Sequence, residues 1–395
     1  MSGLQIAGYL FPLLTVPYLA RVIGVDGYGK IAFATAIVSW VQTTVDWGFG
    51  YTATRDVARS RDDKEHVSQI FSNVLWARVV LMVLAFAILG VVLLAIPAFR
   101  ANAAIILVTF LLVPGHILFP DWFFQAVERM KYVTLLNLLM KFIFTVAVFV
   151  FVREREDYII QPLLNACGYA VCGVIALYLI VGKWKVHLHR PHIASIRQTI
   201  KRSTDVFVNN LAPNLFHSFS IMLLGVFGGS AATGVFDGGD KFSTICTRLQ
   251  SILSQAFFPF LARRGDKHGT FAMLAVGLAV AMCAALFIFA PLIVDMMLTE
   301  EFADSAIVMR ILAVSLIFFA LNNVYGTNYL ILHNREKTIR NVTLAGSLIG
   351  FGVSLPLVYH FGYVGAALTI TTGRAVLGLG AFIAARRHKH GLSRG

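Results

Sequence analysis

Apolar runs of about twenty residues follow one another along almost the whole chain. A run of that length crosses the roughly 30 Å hydrocarbon layer as an α-helix, because inside lipid every backbone group must find its partner within the helix. We therefore predict an all-α integral membrane protein with twelve transmembrane helices. The expected spans lie near residues 4–23, 31–52, 75–96, 103–126, 133–152, 158–182, 206–228, 242–262, 271–298, 306–332, 338–359 and 363–385.

The composition assigns the function to the membrane part of the chain. Of the 395 residues, 58% are hydrophobic and 13% are charged, whereas soluble domains contain about 25% charged residues. The longest polar stretch between predicted spans is 182–205, which is too short for a soluble catalytic domain. The first apolar run lacks a basic segment and a small-residue cleavage site, so we predict a retained helix and not a signal peptide.

The net charge of +13 raises the question of a nucleic-acid partner. With twelve spans, however, 22 of the 33 lysines and arginines fall in loops on one side of the membrane. Such a bias is typical of cytoplasmic loops. We therefore predict that both termini are cytoplasmic and that nucleic acid is not a partner.

The polar stretch after the sixth span divides the chain into two halves. We predict an N-terminal six-helix lobe at 1–182, a basic cytoplasmic linker at 183–205, and a C-terminal six-helix lobe at 206–395 with a short basic tail. Within the linker, residues 193–201 alternate apolar and basic side chains at helical spacing. This pattern fits either a short helix on the anionic inner leaflet or a solvated connection.

Each half contains a glycine-rich segment with an aromatic residue and a following lysine. The segments read "VIGVDGYGKIAF" after the first span and "VFGGSAATGVFDGGDKF" after the seventh, and we predict that both are outer turns. Repeats of six helices are typical of transporters that hold their substrate between the halves.

Several stretches together resemble the polysaccharide repeat-unit flippases, the O-antigen translocase family of the MOP exporter superfamily. They are "PLLTVPYLARVIGVDGYGKIAFA" from Pro12, "DWGFGYTATRDVA" from Asp46, "WFFQAVERMKYVT" from Trp122, "PLLNACGYAVCGVIALYLI" from Pro162, "FPFLARR" from Phe258 and "FGYVGAALTI" from Phe361. The resemblance implies two six-helix lobes around a central cavity that opens alternately to either side. It also implies a bacterial inner-membrane location and a cargo of undecaprenyl-pyrophosphate-linked oligosaccharide. Polysaccharide polymerase and chain-length proteins are the implied partners, besides membrane lipids.

Three charges share one depth in the first half, namely Asp46, Asp121 and Lys141. A lone carboxylate in hydrocarbon costs roughly 2.5 kcal/mol or more, so we predict one hydrated cluster that faces a cavity and serves ion coupling. The alternative for Asp121 is that the preceding proline breaks the helix and the carboxylate is solvated near a helix end. We expect Arg78, closer to a span end, to extend its charge to the membrane surface.

In the second half, Arg374 and Arg248 lie near the middle of their spans. A guanidinium can bind two phosphate oxygens at once and stays charged when partly desolvated, so these arginines are the candidate pyrophosphate ligands. An interhelical salt bridge or a clamp of backbone carbonyl groups is the alternative. Lys241 is a further candidate, although Asp237 and Asp240 could neutralise it.

Polar and aromatic side chains near these charges are candidates for a sugar path. They are Trp122 and Gln125, one helical turn from Asp121, and Asn322, Asn323 and Tyr325 on the tenth span. Hydrogen bonds that hold helices together are the equal alternative.

The sequence contains no nucleophile motif, metal-spaced histidine cluster or phosphate loop, so we predict a transporter that is not an enzyme and has no cofactor. The coupling ion, proton or sodium, stays open. The alternative functions are a multidrug or toxin extruder of the same superfamily and a membrane polysaccharide polymerase or ligase.

Overall fold

The computed structural model describes residues 2–263 and 267–392. Within these ranges the chain is almost entirely helical and contains no β-strand. The predicted all-α membrane fold is confirmed. The chain divides into two compact units, Met1–Leu211 and Ala212–Gly395.

The first unit begins with a series of helices joined by short connections. In chain order they are α1 (Ser2–Asp46), α2 (Phe49–Arg59), α3 (Lys64–Ala95), α4 (Pro97–Ala101), α5 (Ala103–Phe110), α6 (Leu112–Leu118), α7 (Asp121–Ala126), α8 (Met130–Phe151) and α9 (Ile160–Leu177). A π-helical turn, Tyr178–Lys183, prolongs α9. Together α5, α6 and α7 form one interrupted span.

The long helix α10 (Ile193–Phe227) runs from the first unit into the second. The helices that follow are α11 (Gly229–Arg263), α12 (His268–Met297), α13 (Ser305–Leu321) and α14 (Glu336–Leu392). A π-helical segment, Asn322–Ile331, prolongs α13.

Two helices are too long for a single crossing, and a glycine breaks each of them. Gly24 in α1 has φ 65° and Gly362 in α14 has φ 53°, values that glycine adopts without the steric cost other residues meet. Each of these helices therefore supplies two spans. With α10 and α11 included, the helices account for the twelve predicted spans. Eight of the described helical segments are long and apolar enough to cross a membrane, judged by length and composition.

The second glycine-rich segment is not the outer turn that we predicted. The break lies at Gly229, with φ 77°, and the "VFDGGDKF" part is the interior of α11. The prediction was wrong because Asp237 and Asp240 find partners inside the unit, so they do not force the chain into water. Similarly, Asp26–Lys30 is helical within α1.

The basic segment 193–201 also differs from its prediction. It is helical, but it forms the first turns of the 35-residue α10 and not a separate short helix. The boundary between the two units lies within the same helix, at residue 211. That the two halves act as separate lobes during transport stays a prediction.

Candidate functional site

Arg78 on α3 lies inside the first unit and is only 6% exposed. Its Nη2 donates to Oδ1 of Asp46, at the end of α1, over 2.5 Å. Asp46 also accepts a hydrogen bond from Gln42 Nε2 at 3.0 Å. The prediction that Arg78 reaches the membrane surface was wrong, because a carboxylate on a neighbouring helix holds its guanidinium in the interior.

Asp121 follows a break in the fourth span, between α6 and α7. Its Oδ1 accepts a hydrogen bond from the backbone N–H of Trp122 at 2.8 Å, and the half-buried carboxylate interacts electrostatically with both Arg78 and Asp46. The structure therefore places Asp46 and Asp121 in one neighbourhood, as the shared depth suggested. Their cation, however, is Arg78. Lys141 lies half-buried on α8, and its place in this group stays a prediction.

Two further side chains complete this neighbourhood, and the sequence reasoning missed both. The His116 ring stacks on Tyr169 at 3.9 Å between centroids, and the His116 backbone oxygen lies 3.5 Å from Arg78 Nη1. This close approach needs Gly115, because a Cβ there would lie 2.8 Å from the Tyr169 Cβ. The group formed by Asp46, Arg78, His116, Asp121 and Tyr169 is called the first-unit charge cluster below. The histidine five residues before Asp121 is the sequence feature that could have indicated this group.

The two sugar-path candidates on α7 have different surroundings. Trp122 is 2% exposed and its ring packs against Phe71 and Phe123, so in this structure it belongs to the core, and its contact with sugars stays a prediction. Gln125 is exposed. Of the two, Gln125 alone is accessible to a ligand.

Arg374 lies on α14 in the second unit, and the side chains that contact its guanidinium are neutral. Its Nη1 donates to Ser315 Oγ at 2.7 Å and to Ser243 Oγ at 3.4 Å. The guanidinium carbon lies 5.6 Å from the centre of the Phe319 ring. Within the described residues, no carboxylate forms a salt bridge with Arg374. The predicted alternative, an interhelical salt bridge, is therefore not what holds this arginine.

Asp240 is the carboxylate that acts electrostatically on Arg374. It is 5% exposed, and its Oδ2 lies 3.3 Å from His217 Nε2 and 3.4 Å from Thr244 Oγ1. Its other oxygen, Oδ1, is buried and has no hydrogen-bond partner among the described residues. Asp240 Oδ1 is thus a buried acceptor that the described residues leave unfilled.

Lys241 and Arg248 lie on α11 beside these groups. The Lys241 ammonium pairs with Asp237 Oδ2 at 3.1 Å, which agrees with the expectation that a neighbouring carboxylate neutralises it and weakens its claim as a phosphate ligand. The Arg248 side chain is exposed. Of the two, Arg248 keeps its charge accessible.

The polar stripe on the tenth span forms the π-helical segment Asn322–Ile331, and such segments are frequent at functional sites. Asn328 Nδ2 donates to Ser254 Oγ at 2.6 Å, so this amide holds α11 to the segment. Asn322 Oδ1 and Asn323 Nδ2 are buried and have no hydrogen-bond partner among the described residues. The Tyr325 ring contacts Phe382 at 4.9 Å between centroids. The stripe therefore combines a contact between helices with unsatisfied polar groups.

Comparison with known sequences points in one direction. A family profile described as "Polysaccharide biosynthesis protein" matches residues 1–264. A protein of Escherichia coli (strain K12), provisionally named an O-antigen transporter, is 27% identical over 383 residues, which cover 94% of this chain and 91% of the relative. A protein of Shigella dysenteriae with the same provisional name is 23% identical over 369 residues, covering 92% and 93%.

Solved structures share the fold. The chain matches the lipid II flippase MurJ in an inward closed conformation with a TM-score of 0.76 and 11% identity, covering 98% of this chain and 88% of MurJ. It matches the inward-facing conformation of a multidrug resistance MATE family transporter of the MOP superfamily with a TM-score of 0.68 and 16% identity, covering 98% and 99%. At these identities the likeness shows the fold alone.

Proposed function

Because the chain belongs to the polysaccharide biosynthesis protein family, we propose that it is a flippase for undecaprenyl-pyrophosphate-linked oligosaccharides in a bacterial inner membrane. Its relatives are named as O-antigen transporters, and its fold is that of a lipid II flippase and of a multidrug exporter. Transport by alternating access supplies repeat units for O-antigen or another surface polysaccharide. The protein is a transporter and not an enzyme, and polymerase and chain-length proteins are its proposed downstream partners.

The observation that carries this proposal is the state of Arg374. A cation inside a membrane protein is costly unless it is paired or functional, yet this guanidinium is held by two serine hydroxyls and one aromatic ring. Its charge is therefore available to an anionic ligand. A pyrophosphate fits, because the planar fork of arginine binds two phosphate oxygens at once.

Asp240 gives this site a way to release its ligand. The carboxylate acts on Arg374 at a distance without forming a salt bridge, so it weakens the attraction of the arginine for a second anion. A site that must pass its cargo on should bind it only moderately. Arg248, exposed on the neighbouring helix α11, is proposed as a second phosphate contact.

Coupling to an ion is assigned to the first-unit charge cluster. Asp46 and Asp121 share Arg78 as their cation, so two carboxylates face one positive charge when both are ionised. A proton or a sodium ion would balance the difference, and the net charge would then change with ion binding. Gln125, Asn322 and Asn323 are proposed to contact sugar hydroxyl groups, because their amides can both donate and accept.

The test is restoration of surface polysaccharide in a strain that lacks its own flippase, with the amount of membrane-inserted protein measured in parallel. Arg374→Ala is expected to abolish restoration, and Arg374→Lys is expected to retain part of it because the charge remains and the fork is lost. Arg310→Ala is the matched control, since the Arg310 guanidinium also lies 5.6 Å from a phenylalanine ring, that of Phe287. Full restoration by a well-expressed Arg374→Ala, Arg248→Ala double variant would show that other residues bind the phosphates.

A drug-extrusion function is separable from this one. If the chain were an extruder, its expression in a drug-sensitive strain would raise resistance to cationic compounds, and Arg374→Ala would not lower that resistance. We expect no increase in resistance in a strain where surface polysaccharide is restored. Resistance without restoration would contradict the flippase assignment.

A further inference from the structure

A basic cavity of about 570 Å³ opens on the first unit, and no residue of the first-unit charge cluster lines it. Three segments form it: the loop between α2 and α3, the loop between α7 and α8, and the residues that follow α9. Its wall includes Phe123 and Trp184. It also includes five cations, which are Arg61, Lys64, Arg129, Lys183 and Lys185.

Only one of these cations has an anionic partner within the described residues. Arg61 Nη2 lies 2.8 Å from Glu128 Oε1, and this hydrogen bond holds the pKa of the Glu128 carboxyl below its usual value. The four other cations form no salt bridge there. The cavity therefore has a net charge of +4 when Glu128 is counted with its partner, and it would attract an anion strongly.

The backbone of two of its segments is unusual. Glu128 and Lys185 have φ of 58° and 56°, in the left-handed region where glycine costs least. At the end of α7, the N–H of Arg129 bonds back to the carbonyl of Phe124 at 2.8 Å, a turn that usually has glycine where Glu128 stands. Glu128 uses its side chain to hold Arg61. Lys185 is equally strained, yet its exposed ammonium forms no salt bridge within the described residues, which suggests that it serves something outside the chain.

The position of the cavity along the spans indicates what that ligand is. Lys64 is the first residue of one candidate span, Arg129 directly precedes another, and Lys183 ends a third. All three places lie on the side that the charge distribution predicts to be cytoplasmic. The cavity is thus at the depth of lipid headgroups, and tryptophan beside lysine and arginine is the usual composition of that layer.

We propose that this cavity binds the phosphate of an anionic phospholipid from the cytoplasmic leaflet. Phosphate is the anion that lysine and arginine clusters at a membrane surface attract, and the apolar wall formed by Phe123 and Trp184 suits the start of an acyl chain. The inference is independent of the transported substrate, because none of these residues is assigned to the transport path.

The test compares two triple variants of the purified full chain in detergent at 0.15 M salt. Arg129→Gln, Lys183→Gln, Lys185→Gln removes three cavity cations, and Arg335→Gln, Lys337→Gln, Arg340→Gln removes three exposed cations at the start of α14. Native mass spectrometry measures retained phosphatidylglycerol and phosphatidylcholine. Since each basic residue near an anionic surface changes affinity about fivefold, the cavity variant should lose roughly a hundredfold in phosphatidylglycerol affinity and the control should lose far less. Equal losses, or equal retention of both lipids by the wild type, would overturn the proposal.

Two further arms keep the result decisive. Inorganic pyrophosphate is added at millimolar concentration, and displacement of phosphatidylglycerol by it would mean that the cavity takes a soluble anion and would overturn the lipid assignment. Lys185→Gly removes one cation and relieves the backbone strain that the positive φ of Lys185 causes. We expect a thermal midpoint at or above that of the wild type together with about fivefold weaker phosphatidylglycerol binding, whereas unchanged binding would contradict the assignment.

Discussion

Arg78 and Asp46 form a salt bridge that joins α3 to α1, with 2.5 Å between Nη2 and Oδ1. Asp121 lies near the same guanidinium, so one buried cation organises carboxylates from two spans. Removing either the cation or a carboxylate changes the charge balance in opposite directions. Because of this asymmetry, substitutions can distinguish the role of the cation from that of the carboxylates in the first-unit charge cluster.

We predict that Arg78→Met destabilises the protein more than Asp46→Asn. The methionine leaves two carboxylates without a cation, whereas asparagine keeps a hydrogen-bond acceptor for Arg78. The hydrogen bond between Arg78 and Asp46 that Arg78→Met removes contributes about 2 kcal/mol to the free energy of unfolding, the usual value for a hydrogen bond to a charged group. Thermal midpoints of the purified variants in detergent measure the difference.

The double variant Asp46→Asn, Arg78→Met is the check on this explanation. It should be more stable than Arg78→Met alone, because only one carboxylate then remains unpaired. Additive losses from the two substitutions would show that the groups do not act on each other.

The number and type of spans could be predicted from the sequence, because lipid imposes both a length and internal hydrogen bonding on each apolar run. The charged groups show where such reasoning fails. Asp46, Asp121 and Lys141 share a depth, but depth does not fix the direction in which a side chain leaves its helix. The partner of Asp46 is Arg78, which lies on a fourth helix, α3, and no spacing along the chain predicts that pair.

The start of α11 illustrates a second limit. Hydropathy placed it near residue 242, but the helix begins at Gly229 because Asp237 pairs with Lys241 and Asp240 pairs with His217. A carboxylate that finds a partner within the fold no longer breaks an apolar helix. The partner histidine of Asp240 comes from α10, so only the folded chain reveals it.

Substitutions of Trp122 and Gln125, both on α7, should affect stability and transport separately. Trp122→Ala is expected to destabilise the first unit by about 3–5 kcal/mol, since large core aromatics cost that much on truncation and Trp122 is 2% exposed. Gln125→Ala should leave the thermal midpoint unchanged and lower the amount of polysaccharide restored. A Gln125→Ala variant with full restoration would remove this residue from the sugar path.

The two serines around Arg374 should differ in their effect. Ser315 Oγ accepts at 2.7 Å and Ser243 Oγ at 3.4 Å, so Ser315→Ala should disturb the arginine more. A hydrogen bond to a charged group contributes about 1.5–3 kcal/mol, which corresponds to roughly a tenfold loss or more in transport if it orients the guanidinium. Initial rates of repeat-unit export, normalised to protein level, measure both variants, and an equal effect of the two would contradict the geometry.

The last prediction concerns the orientation of the chain in the membrane. The loop charges predict that the first turn of α10 is cytoplasmic, and Ile193 in that turn is 84% exposed, so a cysteine there would be accessible to a reagent from its own side. Cys167 is exposed as well, and the experiment therefore uses a Cys167→Ser background. Ile193→Cys should resist a membrane-impermeant maleimide in intact spheroplasts and react after permeabilisation. Reaction in intact spheroplasts would reverse the orientation and would place the proposed lipid cavity on the outer leaflet.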